Sequence, residues 1–116
     1  MKKICCLILT YNRKNYLKNE LDALFKQKYP ISAIVIVNNA SQDDTYNFLV
    51  KYLHINDKII KEKLYQSMFK EKDIFYYEVA KNNGSSGGFR KCVEIANQLN
   101  YDYYWIMDDD IACKFT

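Results

Sequence analysis

Three carboxylates stand in a row at Asp108-Asp109-Asp110, directly after the run Tyr103-Tyr104-Trp105-Ile106-Met107. Adjacent carboxylates repel one another, and beside a buried strand they are costly unless a cation neutralises them. Hard oxygen donors suit Mn2+ or Mg2+, which also bridge the oxygens of a diphosphate. Alternate side chains of extended chain share a face, so Asp108 and Asp110 point one way and Asp109 the other. A structural cap is the plainer use of the same residues.

Three further segments carry groups that could meet a ligand. Asn82-Asn83-Gly84-Ser85-Ser86-Gly87-Gly88-Phe89-Arg90 holds every glycine of the chain. Glycine lets the backbone approach a ligand closely, and a helix starting after it presents free N–H groups to an anion. Arg90 can add a charge-assisted contact to phosphate. The spacing fits neither a P-loop nor G-x-G-x-x-G, and a flexible turn would use the same residues. Thr10-Tyr11-Asn12-Arg13 offers a hydroxyl, a ring, an amide and a cation, a set suited to a base and a phosphate. Asn38-Asn39-Ala40-Ser41-Gln42-Asp43-Asp44 offers amides whose donors and acceptors match a pyrimidine edge. An Asx turn with a helix cap accounts for that segment equally well.

The elements around these segments explain their placement. Ile4-Cys5-Cys6-Leu7-Ile8-Leu9 and Ala33-Ile34-Val35-Ile36-Val37 are continuous apolar runs, as expected of strands buried on both faces. Ile74 to Val79 reads as a third strand and Tyr103 to Met107 as a fourth. Leu17, Leu21, Leu24 and Phe25 recur at helical spacing before Tyr29-Pro30. Phe48, Leu49, Tyr52 and Leu53 mark a second helix, capped by Ser41 or Asp43. The Lys-rich stretch Asp57 to Asp73, with Ile60, Leu64 and Met68 four apart, reads as a solvated amphipathic helix or a face resting on anionic lipid. Lys81 to Gly88 reads as a loop, and Phe89, Cys92, Val93, Ala96 and Leu99 as a last helix. The alternation predicts an α/β sandwich on a mostly parallel sheet, on which ligands bind at the carboxyl ends of the strands. All four chemistry-bearing segments follow strands.

Composition narrows the class. With 116 residues, 49% hydrophobic and 27% charged, the chain can bury the core of one domain or part of one. Three glycines and one proline exclude collagen-like and linker sequences. A net charge of +3 is too mild to imply nucleic acid. Cys5, Cys6, Cys92 and Cys113 lack C-x-x-C spacing and read as reduced, buried thiols of a cytoplasmic protein. The N-terminal apolar run is too short for a signal peptide, and no run reaches the ~18 residues of a membrane span. His54, the single histidine, is assigned no role.

Taken together, these segments resemble the nucleotide-binding half of a family 2 glycosyltransferase with the GT-A fold. Leu7 to Arg13 is similar to that family's first strand and nucleotide loop. Val35-Ile36-Val37-Asn38-Asn39-Ala40-Ser41-Gln42-Asp43 is similar to its second strand, where V-D-N-x-S-x-D is common; Asn38 replaces the usual Asp, and its amide can still read uracil or thymine. Asn82 to Phe89 with Trp105 to Ile111 resembles the galactofuranosyltransferase branch and, more loosely, rhamnosyltransferases. The resemblance implies an α/β/α sandwich that binds a nucleotide diphosphate sugar, with a UDP or TDP donor expected. It implies that Asp108 and Asp110 hold Mn2+ or Mg2+ against the diphosphate, with Asp109 near the sugar. Thr10, Tyr11, Asn12, Arg13, Asn38 and Asn39 would line the nucleotide. Asn82, Gly84, Ser86, Gly87, Gly88 and Arg90 would lie near sugar and diphosphate.

The implied reaction is transfer of the sugar to an acceptor hydroxyl, with inversion in many members and a carboxylate as base. Family 2 domains run well past 200 residues, so residues 1–116 are expected to be the donor half. The acceptor half and the base are expected beyond Thr116, and this piece alone is expected to be inactive. The acceptor would be a glycan or lipid-linked glycan of the cell envelope. The setting would be cytoplasmic, at most peripheral at the membrane, and an exposed sheet edge would favour a homodimer. Two other classes remain. A nucleotidyl- or phosphoryl-transferase would carry its glycine loop or D-x-D after the first strand, and a non-catalytic binding module draws its support from the missing second half, which a longer parent reading frame would remove.

Overall fold

The computed structural model describes residues 3–11, 14–26, 31–40, 45–53, 55, 59–82 and 84–108. Eight elements follow in the order β1 (Ile4–Thr10), α1 (Lys14–Phe25), β2 (Ile31–Asn38), α2 (Thr45–Tyr52), β3 (Leu64–Phe69), β4 (Lys72–Glu78), α3 (Gly84–Ala96) and β5 (Tyr103–Asp108). The strands form one sheet in the order β3-β4-β2-β1-β5. β1, β2, β4 and β5 are parallel, and β3 alone runs antiparallel, against β4.

The two faces of the sheet build two cores, as the pleat requires. On one face Cys6, Ile8, Ile34, Ile36, Ile74 and Tyr76 meet α1 and α2 through Leu17, Leu21, Leu24, Leu49 and Leu53. On the other, Cys5, Leu7, Leu9, Val35, Val37 and Phe75 meet α3 through Cys92, Ile95 and Ala96. The continuous apolar runs of β1 and β2 have no solvent face because helices cover both sides. This is the α/β/α sandwich of the sequence reading.

The Lys-rich stretch is a correction. It contains no described helix; β3 and β4 form a hairpin through Lys70-Glu71. The four-residue spacing of Ile60, Leu64 and Met68 is incidental, since Ile60 and Met68 are exposed. The residues that pack are Tyr65 and Phe69, four apart and therefore on one face of a strand. Phe69 meets Phe25 at 5.2 Å and Tyr52 at 5.6 Å between ring centroids, so β3 closes the edge of the α1–α2 layer. The glycine segment is the second correction. It is not a loop to Gly88: α3 begins at Gly84, and its first turns are made of Gly and Ser.

The sequence direction reverses between β1 and β5. β1, β2 and β4 progress outward to one side, and the chain then returns to place β5 on the other. Such a switch point leaves a crevice outside the carboxyl ends of the two strands.

Candidate donor site

The strand ends are level. Thr10 pairs in register with Asn38, Asn38 with Glu78, and Leu9 with Asp108. The strand ends that precede the segments singled out by type and spacing therefore lie along one end of the sheet. Asn39 N–H donates to Thr10 O at 2.8 Å and Val79 N–H to Asn38 O at 3.0 Å, which carries the ladder one residue past the strands.

At β2 the two asparagines have different surroundings. Asn38 is fully buried; its Nδ2 donates to Tyr76 Oη at 3.0 Å and reaches Glu78 Oε1 at 3.5 Å. Tyr76 Oη lies 3.2 Å from the same Glu78 oxygen. Asn39, 3% exposed, donates from Nδ2 to Asn82 Oδ1 and to Gly84 O, each at 3.2 Å. Its Oδ1 is buried without a protein partner among the described residues. Ala40, next in the chain, has φ 58°, a left-handed conformation that ends the extended backbone of β2.

The start of α3 is held by side chains. Asn82 Oδ1 accepts the Gly84 N–H at 2.6 Å as well as the Asn39 amide, so it caps the helix and ties it to β2. Gly84 has φ 78°, open to glycine at no steric cost. Gly88 is buried against Leu9 of β1, which lets α3 lie close to the sheet just below the strand ends. Gly84, Ser86 and Arg90 are exposed and Gly87 is partly so, leaving this end of the helix open to a ligand.

A second polar cluster adjoins it. Glu62, exposed and with φ 62°, accepts Ala80 N–H at Oε1 at 2.9 Å and the Tyr77 hydroxyl at Oε2. Those two hydrogen bonds, in that order, hold the Glu62 carboxyl below its usual range, and Lys91 adds to the effect. Burial and the same carboxylate push the Tyr77 hydroxyl up. Lys91 Nζ stands 5.1 Å from the Tyr77 ring centroid and pairs with Glu94 at 2.8 Å. Nothing in residue types or spacing marked Glu62, because the Lys-rich stretch read as a solvated helix, or Tyr77, which read as one aromatic of a strand.

Of the candidate residues, Thr10, Asn38 and Asn39 are buried at the strand ends, and Tyr11, Asn82, Gly84, Ser86 and Arg90 are exposed around them. Asp108 ends β5 beside β1, and its backbone position alone is described. Asn12, Arg13, Ser41, Asp43, His54, Asp109, Asp110 and Cys113 lie outside the described residues. By residue type Asp108, Asp109 and Asp110 suit a divalent cation, and the backbone of Asp108 ends β5 at the switch point, paired with Leu9 of β1. A cavity of about 760 Å3, lined in part by Lys3, Ser32, Lys72, Asp73, Gln98 and Tyr101, opens at the opposite end of the strands. It is a groove between the hairpin turn and the end of α3, away from every candidate residue.

Cys5, Cys6 and Cys92 are buried, matching their reading as core thiols. No helix among the described residues is long and apolar enough to cross a membrane.

The architecture is that of the GT-A glycosyltransferases, and the comparisons agree. The family model described as Glycosyl transferase family 2 matches residues 5–115, and the chain belongs to that family. A curated relative from Rickettsia prowazekii (strain Madrid E), named uncharacterized glycosyltransferase RP339, is 27% identical over 108 residues, which is 93% of this chain and 27% of that protein. Among solved structures, residues 1–349 of S. aureus TarS in complex with UDP superimpose with TM-score 0.64 at 23% identity, covering 93% of this chain and 27% of that one. The mannosyltransferase PcManGT from Pyrobaculum calidifontis, in complex with GDP-Man and Mn2+, gives TM-score 0.70 at 17% identity, covering 95% and 28%. The chain thus spans about a quarter of the length of these relatives.

Proposed function

We propose that residues 1–116 form the donor half of a metal-dependent, inverting glycosyltransferase that takes a nucleotide diphosphate sugar, with UDP or TDP as the nucleotide. One observation carries this reading: the carboxyl ends of β1, β2, β4 and β5 stand at one level, Thr10 beside Asn38, Asn38 beside Glu78 and Leu9 beside Asp108. Family membership supports the reaction class, and the titles of two neighbours, one with UDP and one with GDP-Man and Mn2+, support the ligand class.

In this reading Thr10, Tyr11, Asn12, Arg13, Asn38 and Asn39 form the nucleotide end. The buried Asn39 oxygen supplies an acceptor for a ligand N–H or O–H. The exposed start of α3 lies beside the diphosphate: the Gly84 N–H is taken by Asn82, and Ser86 and Gly87 turn backbone N–H groups to the ligand, where the helix dipole favours negative charge. Arg90, one to two turns on, adds a cation. Gly88 keeps that helix end low over Leu9. Asp108 and Asp110 would hold Mn2+ or Mg2+, and Asp109 would face the sugar. The metal, when bound, stabilises the charge of the departing diphosphate. The acceptor is proposed to be a cell-envelope glycan, whose hydroxyl oxygen bonds the anomeric carbon as the sugar–phosphate bond breaks and its proton passes to a carboxylate base.

Calorimetric titration of UDP, TDP and GDP with Mn2+ present tests the ligand class. Saturable binding of UDP or TDP in preference to GDP is expected. A folded chain that binds none of the three would refute the reading.

A further inference from the structure

We propose that Glu62 is a positioning residue for the donor site, clasping the connection between β4 and α3 and so fixing where α3 begins. The proposal rests on the donor-site reading above. Glu62 lies before β3, at the far edge of the sheet from β1, and nothing in its sequence context points to the site. Yet its backbone N–H donates to Glu78 O at 2.7 Å, and its carboxylate accepts from Ala80 N–H at 2.9 Å and from the Tyr77 hydroxyl. One residue thus binds the last two residues of β4 and the first turn after it.

That turn leads straight to the donor-side groups. Two residues beyond Ala80, Asn82 accepts the Gly84 N–H and the Asn39 amide. Ala80 and Asn82 therefore fix the two ends of a three-residue span from which α3 departs. On the other side, Lys91 of α3 stands over the Tyr77 ring, so the hydroxyl that Glu62 accepts belongs to a ring α3 also touches.

Two features argue that the clasp does more than fill space. Glu62 is exposed, so burial does not require its carboxylate to bond here. Its φ of 62° is a strained choice for a residue with a Cβ, which persists only where the surroundings over-determine it. The exposed carboxylate and the strained backbone converge on one outcome, a pinned Ala80. A helix N-terminus that binds an anion gains from such pinning, because donors held in place cost no ordering when the ligand arrives.

The test uses Glu62→Gly, which deletes the carboxylate while suiting the positive φ and so spares folding, and Glu62→Gln, which keeps an oxygen acceptor. Amide hydrogen exchange and UDP affinity with Mn2+ are measured on the full chain. The expected result for Glu62→Gly is faster exchange at both Ala80 and Gly84, an unfolding midpoint no lower than wild type, and about fivefold weaker UDP binding. Glu62→Gln is expected to recover most of the affinity. Unchanged Gly84 protection or unchanged UDP affinity in Glu62→Gly overturns the proposal. Wild type that binds no nucleotide overturns the donor-site reading, and the positioning role with it, even where exchange at Ala80 and Gly84 responds.

Discussion

Gly88 of α3 sits directly on Leu9 of β1: a Cβ at Gly88 would stand 2.4 Å from Leu9 Cδ1 and 2.7 Å from Cδ2. Leu9 is itself in the core, with little room to retreat. Alanine at a helix interior gains about 1 kcal/mol over glycine, but overpacking costs about 1–3 kcal/mol. Gly88→Ala is therefore expected to lower stability by up to about 2 kcal/mol in urea unfolding. In a Leu9→Ala background the obstruction is gone, and the same substitution should stabilise.

Asn39 ties β2 to the start of α3 with two donated hydrogen bonds. Aspartate at this position has no proton for Asn82 Oδ1 or Gly84 O, and it sets a buried charge against two acceptors. Asn39→Asp should cost at least about 1–3 kcal/mol of stability by urea unfolding. It should also speed exchange of the Gly84 amide. A variant as stable as wild type would mean that the tie is not made in solution.

The β3–β4 turn places both central residues in the left-handed region, Lys70 at φ 50° and Glu71 at φ 66°. That is the geometry Asn-Gly adopts with least strain. Replacing both, Lys70→Asn with Glu71→Gly, should raise stability by about 1 kcal/mol, read as a higher urea midpoint at unchanged slope.

Burial pushes the Cys5 thiol up to about 12, with the Asp73 charge adding to it, and burial pushes Cys92 up to about 12 as well. The thiolate is the reactive form, so neither group should react with iodoacetamide at pH 8 in the folded chain. Peptide mass spectrometry should find both alkylated only after denaturation. Alkylation of Cys92 in the native protein would contradict the packing of α3 on the sheet.

The two central strands could be read from sequence because helices cover both faces of the sheet, leaving β1 and β2 as unbroken apolar runs. The helix α1 was legible for the complementary reason: Leu17, Leu21 and Leu24 need one buried stripe. The hairpin was not. Its turn is Lys-Glu, with no Gly, Asn or Pro to announce it, and Ile60, Leu64 and Met68 imitate a helical stripe. What decides the matter is tertiary, the seating of Phe69 against Phe25 and Tyr52. The helical start of the glycine segment was hidden by poor propensity; capping by Asn82 and the fit of Gly88 on Leu9 outweigh it. The strand-end residues could be chosen by type. That Asn39 bonds to Asn82, and that Glu62 reaches Ala80, depends on partners dozens of residues away or across the sheet edge, which no local pattern encodes.

The proposed donor site requires the carboxylates after Met107 to bring a metal to a nucleotide held by the other strand ends. The most direct measurement is the dissociation constant of UDP with and without Mn2+, in wild type and in Asp110→Ala. Binding is expected to weaken at least about tenfold without Mn2+, and Mn2+ is expected to have no effect on the Asp110→Ala variant. UDP affinity unchanged by Mn2+, or an Asp110→Ala variant as metal-responsive as wild type, would contradict the proposed site.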